Sequence, residues 1–365
     1  MRKSVRIALQ AVCFAGCLAK WPVGPSHLAA AAFPGDPNQA AWALFTSINQ
    51  PASDGLASLW ENWAQASDLF TAYPATPVWP SSPANVKKLE PLEQDKLLLK
   101  FDSANAAKMH ILRAPIDVTA NSEVHINCPT FSFVVSSNLW NTNGLMTRAA
   151  DIAAGRAQAI EFPPDSVAVK AKWRKYDPSK DNLAHYHSAS DSAGTKWLLV
   201  GLHVTSKVQP NWLWATWEQQ ENDSRPASTD TFGYPAGATA PSPGLAQMFK
   251  QNNLRAEWAY YRLDGSQTDF LSPKLLGNST IETGFLSSSS CMTCHNRAGR
   301  FSDNSSISFL DSQGNGFVGI PLASSFTAPG KVFMPMDFLW SMADRANYYG
   351  PKVIVAPPPD CTNIH

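Results

Sequence analysis

Apolar residues along the chain change their period near its middle. Early on, Ala41, Leu44, Phe45 and Ile48 recur at helical spacing behind Asn38, a good capping residue, and Pro51 closes the run. A second helix is expected from Gly55 to Phe70, with Leu56, Leu59, Trp60 and Trp63 along one side. From Tyr73 to Pro83 a proline falls at every third position, which predicts a loop. Farther on the period becomes two. Val167, Val169, Ala171 and Trp173 alternate with Ala168, Lys170, Lys172 and Arg174, the pattern of a half-buried strand. Trp197 to Lys207 and Trp212 to Glu218 read as two more strands, with Pro210-Asn211 turning the chain between them into a hairpin. Asn138 to Gly144 reads as a loop and Leu145 to Ala159 as a short helix.

The segment from Asp223 to Gly244 is rich in Pro, Ser, Thr, Gly and Ala and has little period, which makes it the best candidate for a boundary or a long surface loop. Beyond it, Leu245 to Tyr260 is helical in pattern, Ser302 to Gly330 is rich in Gly and Ser, and Met336 to Tyr348 predicts a last helix. There is no internal repeat.

Between those last helices lies Cys291-Met292-Thr293-Cys294-His295, a Cys-x-x-Cys-His run and the attachment signature of haem c. Two thiols at this spacing can add to the two vinyl groups of one porphyrin, and the histidine that follows is held under the iron. A structural zinc site needs four ligands, usually two such cysteine pairs, and a redox dithiol would want a βαβ unit around it. Neither setting is present: outside the N-terminal segment only the isolated Cys128 and Cys361 remain. The expected architecture is therefore α+β, in four parts. A leader at 1–32 precedes a mixed region at 33–225 with a central antiparallel sheet. A loop or linker at 226–244 then leads to a mainly helical, cytochrome c-like haem domain at 245–365.

In such a domain a methionine from a downstream loop often supplies the sixth iron ligand, which raises the reduction potential and favours electron transfer. Met334 is the first candidate and Met336 the second, with Pro335 stiffening the loop between them. The competing reading is that both fill gaps in the core. His203, His185, His187 and His365 are further candidates for the distal side, although a strand or polar-loop position explains the first three as ordinary histidines. Arg297 and Arg300 stand close enough to the motif to serve the haem propionates, or are surface arginines. The 13 tryptophans offer electron paths but more often are large core side chains. Trp212, Trp214 and Trp217 cannot all face one side of a strand.

Composition narrows the partners. Residues 1–32 hold Arg2, Lys3, Arg6 and Lys20 and no acid, so the rest carries 25 basic against 29 acidic side chains, a net of −4. That argues against nucleic acid or an anionic membrane as partner and leaves a redox partner protein unnamed. Arg2, Lys3 and Arg6 followed by the apolar run Ile7 to Ala19 predict an export signal, and that run is too short to span a bilayer. Ala29 to Ala32 offers ordinary cleavage, whereas Phe14-Ala15-Gly16-Cys17 resembles a lipobox and would leave a lipid anchor on Cys17. Periplasmic export suits haem c, and an oxidising space would let Cys128 and Cys361 pair or leave them as free thiols.

Several segments besides the haem motif make the chain similar to a group of exported bacterial single-haem cytochrome c proteins larger than simple class I cytochromes. They include Ala43-Leu44-Phe45, Phe162-Pro163 with Val169 to Arg174, Leu199 to His203, and Trp214 to Glu218 with Asn222. Tyr261-Arg262-Leu263, Gln267, Asn278-Ser279, Glu282 and Asp337 to Ser341 complete the set. The resemblance implies haem c, the periplasm and a redox role. Electron transfer is the first reading of the chain, an oxygen-activating or peroxidase-type haem enzyme with an open distal site built from 33–225 is the alternative, and a haem-based sensor or binding protein is the third. The resemblance supplies no substrate. Where that group carries Leu-Asn-Trp-Pro, this chain has Ile48-Asn49-Gln50-Pro51.

Overall fold

A computed structural model describes residues 35–53, 55–72, 75–80, 90–91, 120–346, 357–358 and 360–361. The expected leader with Cys17, and His365, lie outside the described residues. The centre is an eight-stranded antiparallel sheet. Its strands are β1 (Ala64–Gln65), β2 (Glu90–Pro91), β3 (Ala120–Ile126), β4 (Val167–Lys175), β5 (Ser188–Ser190), β6 (Lys196–Ser206), β7 (Leu213–Gln219) and β8 (Tyr261–Gln267). The main order is β1-β3-β4-β6-β7-β8, with β2 on β3 and β5 on β6. The three strands read from alternation are β4, β6 and β7, and β6 and β7 pair antiparallel as the hairpin required.

One face of the sheet carries Val169, Ala171, Val204, Ala215, Trp217 and Leu263. Helix α1 (Pro37–Ile48) packs there, begun by the Asp36 carboxylate, which accepts from the Asn38 amide at 2.9 Å. Asp36, not Asn38, is thus the cap. The expected second helix is absent: Leu59–Asn62 is a single 3₁₀ turn, followed by β1 and the short helix α2 (Ala66–Leu69). Helix α3 (Cys128–Ser136) starts behind Asn127, and α4 (Thr142–Ala153) starts three residues earlier than its apolar pattern, where the Asn141 side chain caps Gly144. Helix α5 (Pro243–Gln251) follows the irregular 226–242 stretch and joins α1 on the same face.

The mainly helical cytochrome c-like domain is not found. Beyond the proposed linker the chain returns as β8, antiparallel to β7, and so completes the same sheet. The described helices after it are the six-residue α6 (Cys291–Asn296) and α7 (Trp340–Arg345), joined through loops and a small sheet of β9 (Gly299–Phe301) with β10 (Phe333–Pro335). β8 escaped the alternation test because Asp264, Ser266 and Gln267, three of its buried residues, are polar. Asp264 binds Arg225 at 2.9 Å, the Ser266 hydroxyl donates to Asn38 at 2.6 Å, and Gln267 reaches the haem motif. β3 hides likewise: its Glu123 is buried and accepts from the Trp173 indole at 2.9 Å. Hydrogen-bonded polar side chains can be buried without an apolar signature.

No described helix is long and apolar enough to cross a membrane. Cys128, on the first turn of α3, is bridged to Cys361 across a separation of 233 residues. A bridge closing so long a loop restricts the unfolded chain, and removing one from a native protein typically costs about 2–5 kcal/mol. Cys361→Ser should lower the unfolding free energy of the oxidised protein by about that amount in urea titrations. An unchanged midpoint would show that the bridge contributes nothing.

Candidate functional site

The haem motif is fastened to the sheet at one point. Gln267 ends β8, and its amide accepts from the Met292 backbone N–H at 3.0 Å while donating to the Ser290 hydroxyl at 3.1 Å and to the Pro273 carbonyl at 2.6 Å. Ser290 in turn caps α6 through the Thr293 amide. One side chain therefore satisfies donors that a helix start leaves open and ties that helix to the last strand. The Thr293 hydroxyl donates to the Gly319 carbonyl at 2.7 Å, and the Trp340 indole donates to the Cys294 carbonyl at 3.1 Å.

This arrangement puts Cys291, Cys294 and His295 along one side of a cleft. Neither thiol is oxidised, and burial pushes both pKa values up, that of Cys294 to about 12. His295 places Nδ1 at 2.8 Å from the Phe338 carbonyl. A carbonyl only accepts, so Nδ1 carries the proton and Nε2 keeps its lone pair. Burial holds the imidazole neutral, with its pKa lowered to about 4. A ring with one nitrogen tethered to an acceptor and the other free is the arrangement found in metal-ligating histidines. The Trp214 ring lies against it at 4.4 Å.

The carbonyl that holds His295 is itself built from strain and charge. Asp337 and Phe338 both adopt positive φ, of 42° and 72°, a conformation that non-glycine residues hold only when neighbours enforce it. The enforcement is Asp337. Its carboxylate accepts from Lys207 Nζ at 2.9 Å, from the Phe162 amide at 2.7 Å and from the Trp212 indole at 3.3 Å. Burial pushes the Asp337 pKa up, against the pull of Lys207.

The other wall of the cleft is the second face of the sheet. Val124, Lys170, His203 and Thr216 are directly opposed neighbours on β3, β4, β6 and β7, so their side chains share one face. Asn278 folds the following loop onto this row, donating to the Thr216 hydroxyl at 2.9 Å and to the Trp217 carbonyl at 3.1 Å. A Cβ at Gly201 would collide with Thr280 and Asn278, so only glycine lets the loop lie so close to β6. That docking brings Glu282 to His203, whose Nε2 stands 3.1 Å from Oε1 and 3.2 Å from Oε2. His203 Nδ1 is buried with no hydrogen-bond partner. Lys170 makes no hydrogen bond or ion pair with any described residue, and burial lowers its pKa. Burial also opposes ionisation of Glu282, but His203 and Lys170 outweigh it and its pKa falls.

The remaining candidates lie elsewhere. Met334 pairs with Arg300 across β9 and β10, and its side chain sits in the core with Met336. Neither methionine lines the cleft. His187 is buried on the opposite face of the sheet between Glu61 and Arg255, and His185 stacks on Tyr260. Arg297 donates to the Ser308 carbonyl and Arg300 to the Ala343 carbonyl, and neither lines the cleft. His203 was visible in the sequence as a strand histidine. Lys170 and Glu282 carried no signal for a site, since only strand pairing and loop docking bring them to it.

The residues present fit a covalent haem. Two unoxidised thiols and a histidine with a free nitrogen face a cleft whose walls include Phe285, Phe309, Phe338 and Leu339. The cleft has a cavity volume of about 150 Å³, and all the free space within its bounds, open solvent included, is about 1160 Å³. Among the described residues no cluster of three or more His, Cys, Asp or Glu is arranged around a bare metal ion. Comparison with protein-family models, with curated proteins and with solved structures finds no match to this chain.

The Lys207–Asp337 pair is almost closed to solvent. Breaking a buried pair from one side strands a charge, at about 3–5 kcal/mol. Asp337→Ala should therefore destabilise the protein by about that much, and Lys207→Met added to it should restore part of the loss. Chemical denaturation of the single and double variants reads the coupling, and strictly additive values would dismiss the pair as the anchor.

Proposed function

We propose that this chain is an exported single-haem c protein. Its cofactor is tethered through Cys291 and Cys294, ligated by His295, and used for chemistry on a small ligand at an open, polar face. The observation that carries the reading is the shared cleft: the three motif residues and the Lys170–His203–Glu282 group line the same space. A bound haem would supply a redox-active iron able to take a small ligand. The chain does the rest. The Phe338 carbonyl holds the His295 proton at Nδ1 and leaves Nε2 for the iron. Phe285, Phe309 and Leu339 keep water from the inner cleft. Lys170 and His203 add polar groups to the wall of the cleft where a ligand would sit.

This is an oxidoreductase-type reading rather than that of a methionine-ligated electron carrier. It is favoured because Met334 and Met336 belong to the core and His203 to the cleft. The Cys128–Cys361 bridge supports an oxidising compartment, as the expected export signal does.

Material matured in a periplasm should keep its colour through denaturation and acid-acetone extraction, and a Cys291→Ser/Cys294→Ser double variant should lose it. Met334→Leu should leave the visible spectrum unchanged. Extractable colour in the parent protein would reject covalent attachment, and a changed Met334→Leu spectrum would return that methionine to the iron.

A further inference from the structure

Resting on the haem c reading, we propose that Lys170 holds the acidic edge of the haem, pairing its ammonium with a propionate at the end of the cleft away from the cysteines. The group recognised is an alkyl carboxylate carried on an apolar ring.

The register of the sheet sets the distance. Ala168, Thr205, Trp214 and Gln267 are directly opposed on β4, β6, β7 and β8 and form one row on the cleft face. Lys170, His203 and Thr216 form the next row, two residues along each strand. The motif is mounted at the β7–β8 end of the first row, where Gln267 holds Met292 and Trp214 packs on His295. Lys170 stands on β4, two strands beyond Trp214 and one row along. Strand spacing and rise together separate the two backbones by about 12 Å. A porphyrin joined to the cysteines by its vinyl edge carries both propionates on the opposite edge, so they point away from the motif. Lys170 is placed for that far edge.

Charge supplies an independent argument. Among the described residues that line the cleft, Lys170 is the only lysine or arginine. Arg297 and Arg300 donate to the Ser308 and Ala343 carbonyls and stay outside. Lys172, next along the same face of β4, is buried and does not line the cleft either. Glu282 and Asp344 act on Lys170 electrostatically, yet Lys170 makes no hydrogen bond or ion pair with a described residue. Glu282 is engaged elsewhere: His203 Nε2 stands 3.1 Å and 3.2 Å from its two oxygens, and the Asn278 amide donates to it at 2.7 Å. A carboxylate entering an apolar cleft needs a partner of opposite charge, and Lys170 is the cation left to provide it.

Potentiometry on the full haem-loaded chain tests the pairing. Without the cation the propionate's negative charge favours ferric iron, so Lys170→Met should lower the reduction potential at pH 7. A close opposite charge depresses a carboxyl pKa by about 1–3 pH units, so the propionate of the variant should titrate that much higher. Protonation removes its charge, and the variant's potential should therefore rise more steeply than the parent's between pH 7 and pH 5. His203, Glu282 and Asp344 also face this space, but they are common to both proteins. Lys170→Arg should restore the parent potential and slope. Lys170→Gln should repeat the Lys170→Met result with a side chain that stays polar. An unchanged potential, or a fall with no steeper slope, overturns the pairing. So does a changed spin state in the visible spectrum of Lys170→Met, which would make the lysine an iron ligand. These results leave the haem c reading standing, whereas a parent protein that matures without covalent haem overturns both.

Discussion

Gln267 joins the two halves of this molecule. A strand end offers one side chain, and here that side chain both accepts from the first turn of α6 and donates to the serine that caps it. Moving Gln267 would leave the buried Met292 amide without its partner, and such a group costs about 1–3 kcal/mol. The motif helix has six residues, too few to hold its own shape in water, so its position is set by what grips its ends. Gln267 grips the start, and the Trp340 indole and the Phe338 carbonyl grip the end. The sheet is thus the frame on which the cysteines and His295 are mounted.

From that frame follows the character of the cleft. The same sheet has one face filled by aromatic and aliphatic side chains under α1 and α5, and a second face where a row of polar residues meets the motif. A low-dielectric wall around few polar groups strengthens every interaction among them. His295 is kept neutral and free at one nitrogen, while His203 faces the Glu282 carboxylate and Lys170 lies within the electrostatic reach of that same glutamate. The two histidines share a logic, one nitrogen of each tied to an acceptor. They differ in the tie. A carbonyl on a strained turn holds His295, and an ionised glutamate holds His203.

Strands β4, β6 and β7 were legible because a half-buried strand must alternate, and α1 because its apolar side repeats at helical spacing. β3 and β8 were not, since Glu123, Asp264, Ser266 and Gln267 are buried polar groups satisfied by partners far away in sequence. The second expected helix failed where Trp60 and Trp63 belong to a 3₁₀ turn and the loop after it, and are buried there. The helical haem domain failed for the largest reason. A short motif between helical patterns looks alike whether it sits in a helix bundle or against a sheet.

The order of residues alone determined the Cys-x-x-Cys-His motif, because Cys291, Cys294 and His295 are local to one turn and need no distant partner to be recognised. It also determined the alternating strands, whose period is a property of the backbone. Only the tertiary structure decided what faces the motif across the cleft. Lys170, His203 and Glu282 come from two strands and a loop, and Met334 is drawn into the core by the β9–β10 pairing. Such positions depend on cross-strand register and loop docking, which bring together residues whose separation along the chain carries no mark of their meeting.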